Sequence, residues 1–463
     1  MSRRRTLART VFAGLVLFAV ALVGSGLLSW VVGDGADVTA AGAETVAPAN
    51  GTTVITTSMQ GNNRIVAYAP DGSVLYFNDS HGVYDDVDPS PRGAYTVTYI
   101  GTEKLNRAEC HSSEPCTRQF IERVNLTTGE AERLYSRVVA KAQNHWHDAD
   151  RIGPHRWLVA DIAHDRVFVV NTSTGIETWS WHAQNGYDVR SGGIFPNDWT
   201  HLNDVERLPD GRVMVSLRNQ DTVAFVDPET GVRRGWSLGS DGNHSRLYEQ
   251  HNPDYIPPER GGPSVVVADS ENNRIVEYQR VNRTDTGGPG GPTNASAGTW
   301  TRTWQWRDTE LRWPRDADRL PNGHTLITDT NGGRVIEVDE AGRVVWRVDI
   351  EGPYEAERLG TGDESAGGPS AVRAGIESRS VAEPVAESDR PVWEAAADEA
   401  VAAWSSVLPS IVVNPLLYVL PPWIGIVELG GLLSLPPVAL AWGLAELYWS
   451  PYGVRLSRSD GVR

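Results

Sequence analysis

The chain of 463 residues carries 59 acidic against 42 basic side chains, a formal charge of −17, and 40% hydrophobic residues. That is enough for one large domain with accessories around a real core, and it excludes a small disulfide-stapled domain. The acidic excess argues against nucleic acid as a partner; it reads as a solvated surface or as adaptation to high salt, and the composition favours the second.

The first element is an apolar segment. Residues 10–32, RTVFAGLVLFAVALVGSGLLSWVV in context, hold no charge from Val11 onward and are long enough to span a bilayer. Arg3, Arg4, Arg5 and Arg9 precede it, which keeps the N-terminus inside. The start SRRRTL reads either as a twin-arginine export signal or as ordinary positive-inside charge. Both place the bulk of the chain outside. Beyond this segment lie seven N-x-S/T sequons, at Asn50, Asn78, Asn125, Asn171, Asn243, Asn282 and Asn294, against about three expected by chance, which points to a glycosylated outer surface. The two cysteines, Cys110 and Cys116, are spaced to close one small loop disulfide in an oxidising compartment.

Residues 55–350 consist of short Val/Ile/Thr/aromatic runs between Gly, Asp and Asn turns, such as PDGRVMV, PNGHTLI and NGGRVIEV, with almost no helical periodicity. A pattern recurs: H-x-x-D at His147–Asp150, His201–Asp204 and His251–Asp254, and R-x-x-D at Arg315–Asp318. Each is followed by a turn, two hydrophobic strands and usually a strand bearing Trp. The units start about 54, 50 and 64 residues apart, the size of a four-stranded propeller blade. The predicted fold is therefore all-β, a six-bladed β-propeller, with five or seven blades also compatible with the length. Trp179, Trp181, Trp236, Trp304, Trp306 and Trp346 fall late in their units and read as outer-strand packing between blades.

The remaining organisation is set by composition. Residues 1–33 form the signal or membrane anchor, 34–54 a linker, 351–400 an acidic flexible linker, 401–450 a C-terminal membrane segment of one or two spans, and 451–463 a basic tail.

In a propeller the innermost strands line the central channel, so the basic residues that open successive blades converge on one axis. His147, His201, His251 and Arg315 would then form an anion-binding cluster with Arg218, while the aspartates pin strands within their own blades. His145 reads equally well as a surface residue.

DWTHLN followed by a hairpin and SLRNQ resembles the PAPS-independent arylsulfate sulfotransferase family, over roughly residues 140–345. The resemblance implies a six-bladed propeller in which a histidine attacks the sulfur of an aryl sulfate and passes the group, through a sulfohistidine, to a phenolic or other hydroxyl acceptor. By motif it assigns the nucleophile to His251, sulfate binding to His201, Asn203 and Arg218, and a proton-moving role to His147; His201 is a second candidate for that proton, and Arg315 would add positive potential for the sulfate. The expected substrates are small molecules, with no cofactor and no metal, and the apolar segments add the membrane as a partner. The sequence departs from the family in three ways: no separate β-sandwich fits ahead of the propeller, the cysteine pair precedes the His147 unit, and the C-terminal membrane segment is additional.

Two other readings use the same residues. One is a membrane-tethered, non-catalytic propeller that binds anionic glycans; the other is a metal enzyme with the three channel histidines as ligands. Neither a Gly-rich nucleotide loop nor a serine nucleophile elbow is present, so a nucleotide-activated sulfate donor is not supported.

Overall fold

The computed structural model of the chain describes residues 3–32, 46–58, 62–110, 116–139, 145–282, 298–362, 364, 366–380, 408–421 and 424–450. Most of the linker expected at 34–54, residues 381–400 of the acidic linker, the first residues of the C-terminal segment, the basic tail and the sequon at Asn294 lie outside them. The chain forms two compact units, Thr39–Ala386 and the pair of termini Met1–Val38 with Glu387–Arg463.

In the larger unit the strands make six sheets, antiparallel except where the short strand Arg379–Ser380 joins one of them in parallel, each built outward from one inner strand. Blades 2 to 6 run in chain order, with inner strands Val83–Pro89, Trp146–Gly153, Leu202–Arg207, His251–Ile256 and Pro314–Arg319. Blade 1 joins the two ends of the propeller: its inner strand is Pro353–Arg358, paired with Thr53–Thr57 and followed by Arg64–Tyr68 and Val74–Asn78. This is a six-bladed β-propeller.

Nearly every middle strand is buried on both faces, as in Val213–Leu217 and Ser264–Asp269. Their apolar side chains form six clusters, each between two neighbouring blades; Leu158, Val167, Trp199, Val205 and Val215, for example, join blade 3 to blade 4. Sandwiching sheets in this way explains why the strands read as continuous β-branched runs. Trp181, Trp304, Trp306 and Trp346 are buried on outermost strands, and Trp306 Nε1 donates to the Gly342 carbonyl of the next blade at 3.0 Å. Cys110 and Cys116 are joined in a disulfide.

Three expectations change. The propeller runs past residue 350, because the ring-closing strand Pro353–Arg358 pairs with Thr53–Thr57. The segment expected to be a flexible linker from 351 onward is ordered as far as Ser380: a short helix Ala371–Ala374 packs its Ala371 in the core between blades 5 and 6, and Arg379–Ser380 pairs with the outer strand of blade 5. Several inner-strand carboxylates reach across to the next blade instead of pinning only their own. Backbone N–H groups of Val87, Ala149, Val205 and Ala356 donate to Glu355, Asp86, Asp148 and Asp316 respectively, and those of Arg207 and Tyr255 to Asp150 and Glu206. Each acidic side chain thus supplies an acceptor that a strand at the channel wall has no partner strand to provide.

The smaller unit contains the helices Arg3–Val32, Ser410–Val419 and Ile426–Trp449. Arg5–Gly24 and Ile426–Trp449 are long and apolar enough to cross a bilayer. Arg9 and Glu446, charged groups on these two apolar helices, form an ion pair of 2.5 Å.

Candidate active site

The blade register decides which residues share a level. Asp150 pairs with Leu158, Glu206 with Met214, Asp254 with Val266 and Asp318 with Leu326, at equivalent places on the second strands. Three residues back from these carboxylates lie His147, Asn203, His251 and Arg315. The in-phase unit of blade 4 is therefore Asn203–Glu206 and not His201–Asp204. His201 belongs to a second level two residues earlier, with His145, Glu249 and Trp313.

That second level is built by left-handed backbone. His201, Glu249 and Trp313 have φ of 45°, 46° and 52°. They are held from the preceding blade by a turn residue that is itself left-handed: Asp165 accepts from Thr200 N–H, Asp221 from Glu249 N–H and Asn273 from Trp313 N–H, each at 2.9 Å. Asp and Asn are the side chains that best tolerate this conformation, and the kink turns the entering residue toward the axis.

The two levels form one cluster. The His147 ring centre lies 4.5 Å from that of His145, 5.3 Å from His201 and 5.6 Å from Tyr354. The Arg315 guanidinium sits 4.4 Å from the Trp313 ring centre and 4.8 Å from that of Tyr354. Arg218 donates through Nε and Nη2 to Glu249 Oε2 at 2.9 and 2.6 Å. Asn203 Nδ2 donates to the Gln250 carbonyl at 3.0 Å, tying blade 4 to the entry of blade 5.

His251 is fully buried, and its hydrogen bonds fix its tautomer. Ser270 Oγ donates to the Pro314 carbonyl at 2.7 Å and so faces His251 Nδ1, 2.8 Å away, as an acceptor. Nδ1 therefore carries the proton. Nε2, which has no hydrogen-bond partner among the described residues, keeps its lone pair. Burial, followed by the positive charges of Arg315 and Arg218 and by His201, holds this imidazole well below its usual pKa, against a weak opposing pull from the Glu249 backbone.

His147 is also held well below the usual value, by burial and then by His145 and His201; its Nδ1 lies 2.7 Å from Tyr354 Oη. His201 is pushed down to about 4 by burial and Arg218, although Asp198, 2.5 Å from its Nδ1, favours the charged form. His145 is the exception. Burial alone would lower it, but the fully buried Asp85 carboxylate, 2.5 Å from Nδ1, outweighs burial and raises it. Three imidazoles of the cluster are thus held below their usual pKa and one above it.

Of the site residues expected from sequence, His147, His201, Arg218, His251 and Arg315 meet in this cluster, and Asn203 lies at the His147 level, bonded to the Gln250 carbonyl. The sequence reading missed Asp85, Glu249, Ser270, Trp313 and Tyr354, and left His145 undecided. The H-W-H spacing was the one visible signal, since alternate residues of a strand share a face. The three-histidine metal set is not found among the described residues; the group whose ligand atoms converge within 4.8 Å is Asp85, His145 and His147. A cavity of about 460 Å³ opens at the opposite ends of the inner strands, lined by Asp150, Glu206, Tyr255, Arg260 and Glu364, away from the histidines.

Among solved structures the chain is similar to a protein of unknown function from Bacteroides caccae (TM-score 0.43, 13% identity, 67% of this chain and 98% of that one). It is also similar to a protein from Lactobacillus plantarum (0.42, 12%, 66% and 98%) and to a chain of a nidogen/laminin complex (0.41, 12%, 66% and 97%). These are distant likenesses, and the propeller assignment rests on the strand order. No curated protein matches the chain. The family model for arylsulfotransferase (ASST) matches residues 156–351, from the second strand of blade 3 through blade 6. That stretch, which carries His201, Arg218, His251 and Arg315, is similar to the arylsulfotransferase family.

Proposed function

We propose that this chain transfers a sulfuryl group from an aryl sulfate to a phenolic or other hydroxyl acceptor, with His251 as the nucleophile. The match to the arylsulfotransferase model supports arylsulfotransferase activity in general terms. The observation that carries the finer reading is His251 Nε2, buried, without a partner, and held in the nucleophilic tautomer by Ser270.

In the first half-reaction Nε2 attacks sulfur, the bond from sulfur to the aryl oxygen breaks, and the leaving oxygen takes a proton. Sulfuryl transfer is mainly positioning and stabilisation of charge on the equatorial oxygens. Arg218 and Arg315 supply positive charge; His201 and the second Nδ2 hydrogen of Asn203 supply donors. The proton comes from His145, the imidazole whose pKa is raised, whereas those of His147 and His201 are lowered. In the second half the acceptor hydroxyl returns a proton to His145, its oxygen attacks sulfur, and the nitrogen–sulfur bond breaks.

Glu249 occupies Arg218 in this arrangement, and an incoming sulfate competes for the same guanidinium. Turnover of a chromogenic aryl sulfate with a phenol acceptor tests the reading. Activity that is abolished in His251→Ala supports it; full activity in that variant, or none in the native chain, contradicts it.

A second reading has one observation in its favour, the convergence of Asp85, His145 and His147. If a metal there is required, chelation abolishes turnover and the metal restores it. Arg315, whose charge lowers the pKa of both histidines, also opposes a cation at this spot.

For location we propose that the N-terminal helix spans the membrane with its arginines inside and the propeller outside. Protease digestion of intact cells, which removes an outward-facing propeller and spares an inward one, tests the orientation.

A further inference from the structure

Below the histidines the channel wall turns from basic to acidic, and the straps between blades fail at one place. Asp204 has no strap to blade 5, because the residue at the receiving position is Pro253, which lacks an N–H; its Oδ1 has no hydrogen-bond partner. From blade 5 to blade 6 the strapping acid is replaced by Asn252.

At the lower level Asp150 and Glu206 each accept a backbone N–H from the next blade, but Asp254 Oδ2 and Asp318 Oδ2 are buried with no donor. These side chains are 6% and 2% exposed. Instead of backbone they meet each other and Asp316: one oxygen from each of the three lies within 4.8 Å of the other two. Asp316 keeps its Ala356 strap, but the Asp254 and Asp318 oxygens, buried with no donor among the described residues, are costly in mutual contact unless something positive joins them.

We propose that Asp254, Asp316 and Asp318 bind one divalent cation, calcium by its chemistry, which replaces the missing straps between blades 5 and 6. A calcium–oxygen bond is about 2.4 Å, so a single ion reaches oxygens up to about 4.8 Å apart. The donors are all hard oxygens, which selects against zinc and copper. Magnesium demands a strict octahedron and keeps several waters, which suits three deeply buried carboxylates less well. The site is separate from the histidine cluster, so the proposal stands whether or not sulfuryl transfer does.

The test uses the full chain in detergent, stripped with a chelator and dialysed against buffered calcium chloride at pH 7. Elemental analysis is expected to find one calcium per chain, and calcium is expected to raise the melting temperature where sodium chloride at equal ionic strength does not. Asp254→Asn/Asp318→Asn removes like charges and is expected to fold, by circular dichroism, while binding calcium about 100-fold more weakly. Asp241→Asn, an exposed control, is expected to bind as the native chain does. Absence of stoichiometric calcium in the folded native chain, with an unchanged melting temperature, would mean that the carboxylates share a proton and overturns the proposal. Calcium retained by the double variant, placing the ion elsewhere on an acidic surface, overturns it equally.

Discussion

His145 is the imidazole whose loss discriminates most sharply among mechanisms. Asp85, fully buried and 2.5 Å away, keeps its pKa above the usual value, whereas His147, His201 and His251 are all held below. If His145 protonates the departing oxygen, His145→Gln removes a general acid, which is worth about 10²–10⁴ in rate, or about 3–5 kcal/mol. The full loss is expected only when the leaving group needs the proton. Phenyl sulfate releases a phenol of pKa about 10, close to that of tyrosine. The phenolate of 4-nitrophenyl sulfate leaves far more readily. Measured as phenol release at pH 7, kcat/KM for phenyl sulfate should fall by about 10²–10⁴ in His145→Gln, and for 4-nitrophenyl sulfate by less than about tenfold. An equal fall for both substrates would show that His145 shapes the pocket and moves no proton. No fall for either would remove it from the mechanism.

Arg218→Ala is expected to lower kcat/KM by about 10²–10³, the usual loss when one charged donor to the transition state is removed, and a steady-state comparison with the native chain checks it. Phe168, fully buried between Trp146 and the guanidinium of Arg166, should cost about 3–5 kcal/mol when changed to alanine, read as a lowered denaturation midpoint. Stability should also depend on pH. Asp316 is pushed up to about 7 by burial, and Asp86 and Asp148 stand well above the usual carboxylate range, so their contribution is full below about 4 and is lost as pH rises through the folded values. The depressed histidines act in the opposite sense, but only below their unfolded pKa of about 6.5. Chelator-treated protein should therefore melt higher at pH 6.5 than at pH 8, and a flat or reversed profile over that window contradicts the assignment of the raised carboxylates.

The architecture was legible because propeller blades are local. Turn dipeptides, β-branched runs and a repeat near 50 residues are all set within one hairpin or the next. The closing strand Pro353–Arg358 was not, because it is a single strand whose partner, Thr53–Thr57, lies about 300 residues away, and no hairpin marks it. The phase of blade 4 was misread because His201 and Asp204 repeat the H-x-x-D spacing two residues ahead of the in-phase Asn203 and Glu206, and only the strand register separates the two. The histidines and arginines of the cluster were visible as chemistry-bearing residues in a repeat. Ser270 and Asp85 were not, since a serine in a turn and an aspartate in an acidic strand look ordinary until the ring closes and places them against His251 and His145. The channel acids were visible too, but only the ring shows that each faces its neighbouring blade.

The central claim is that His251 Nε2 carries the sulfuryl group between donor and acceptor. Mixing the full chain with an aryl sulfate in the absence of acceptor, followed by intact-protein mass spectrometry and peptide mapping, tests it directly. The account predicts a gain of one SO₃ on the peptide containing His251, absent in His251→Ala and discharged when a phenol is added. Turnover of the aryl sulfate without any mass gain, or a sulfuryl group on another residue that persists in His251→Ala, would contradict it.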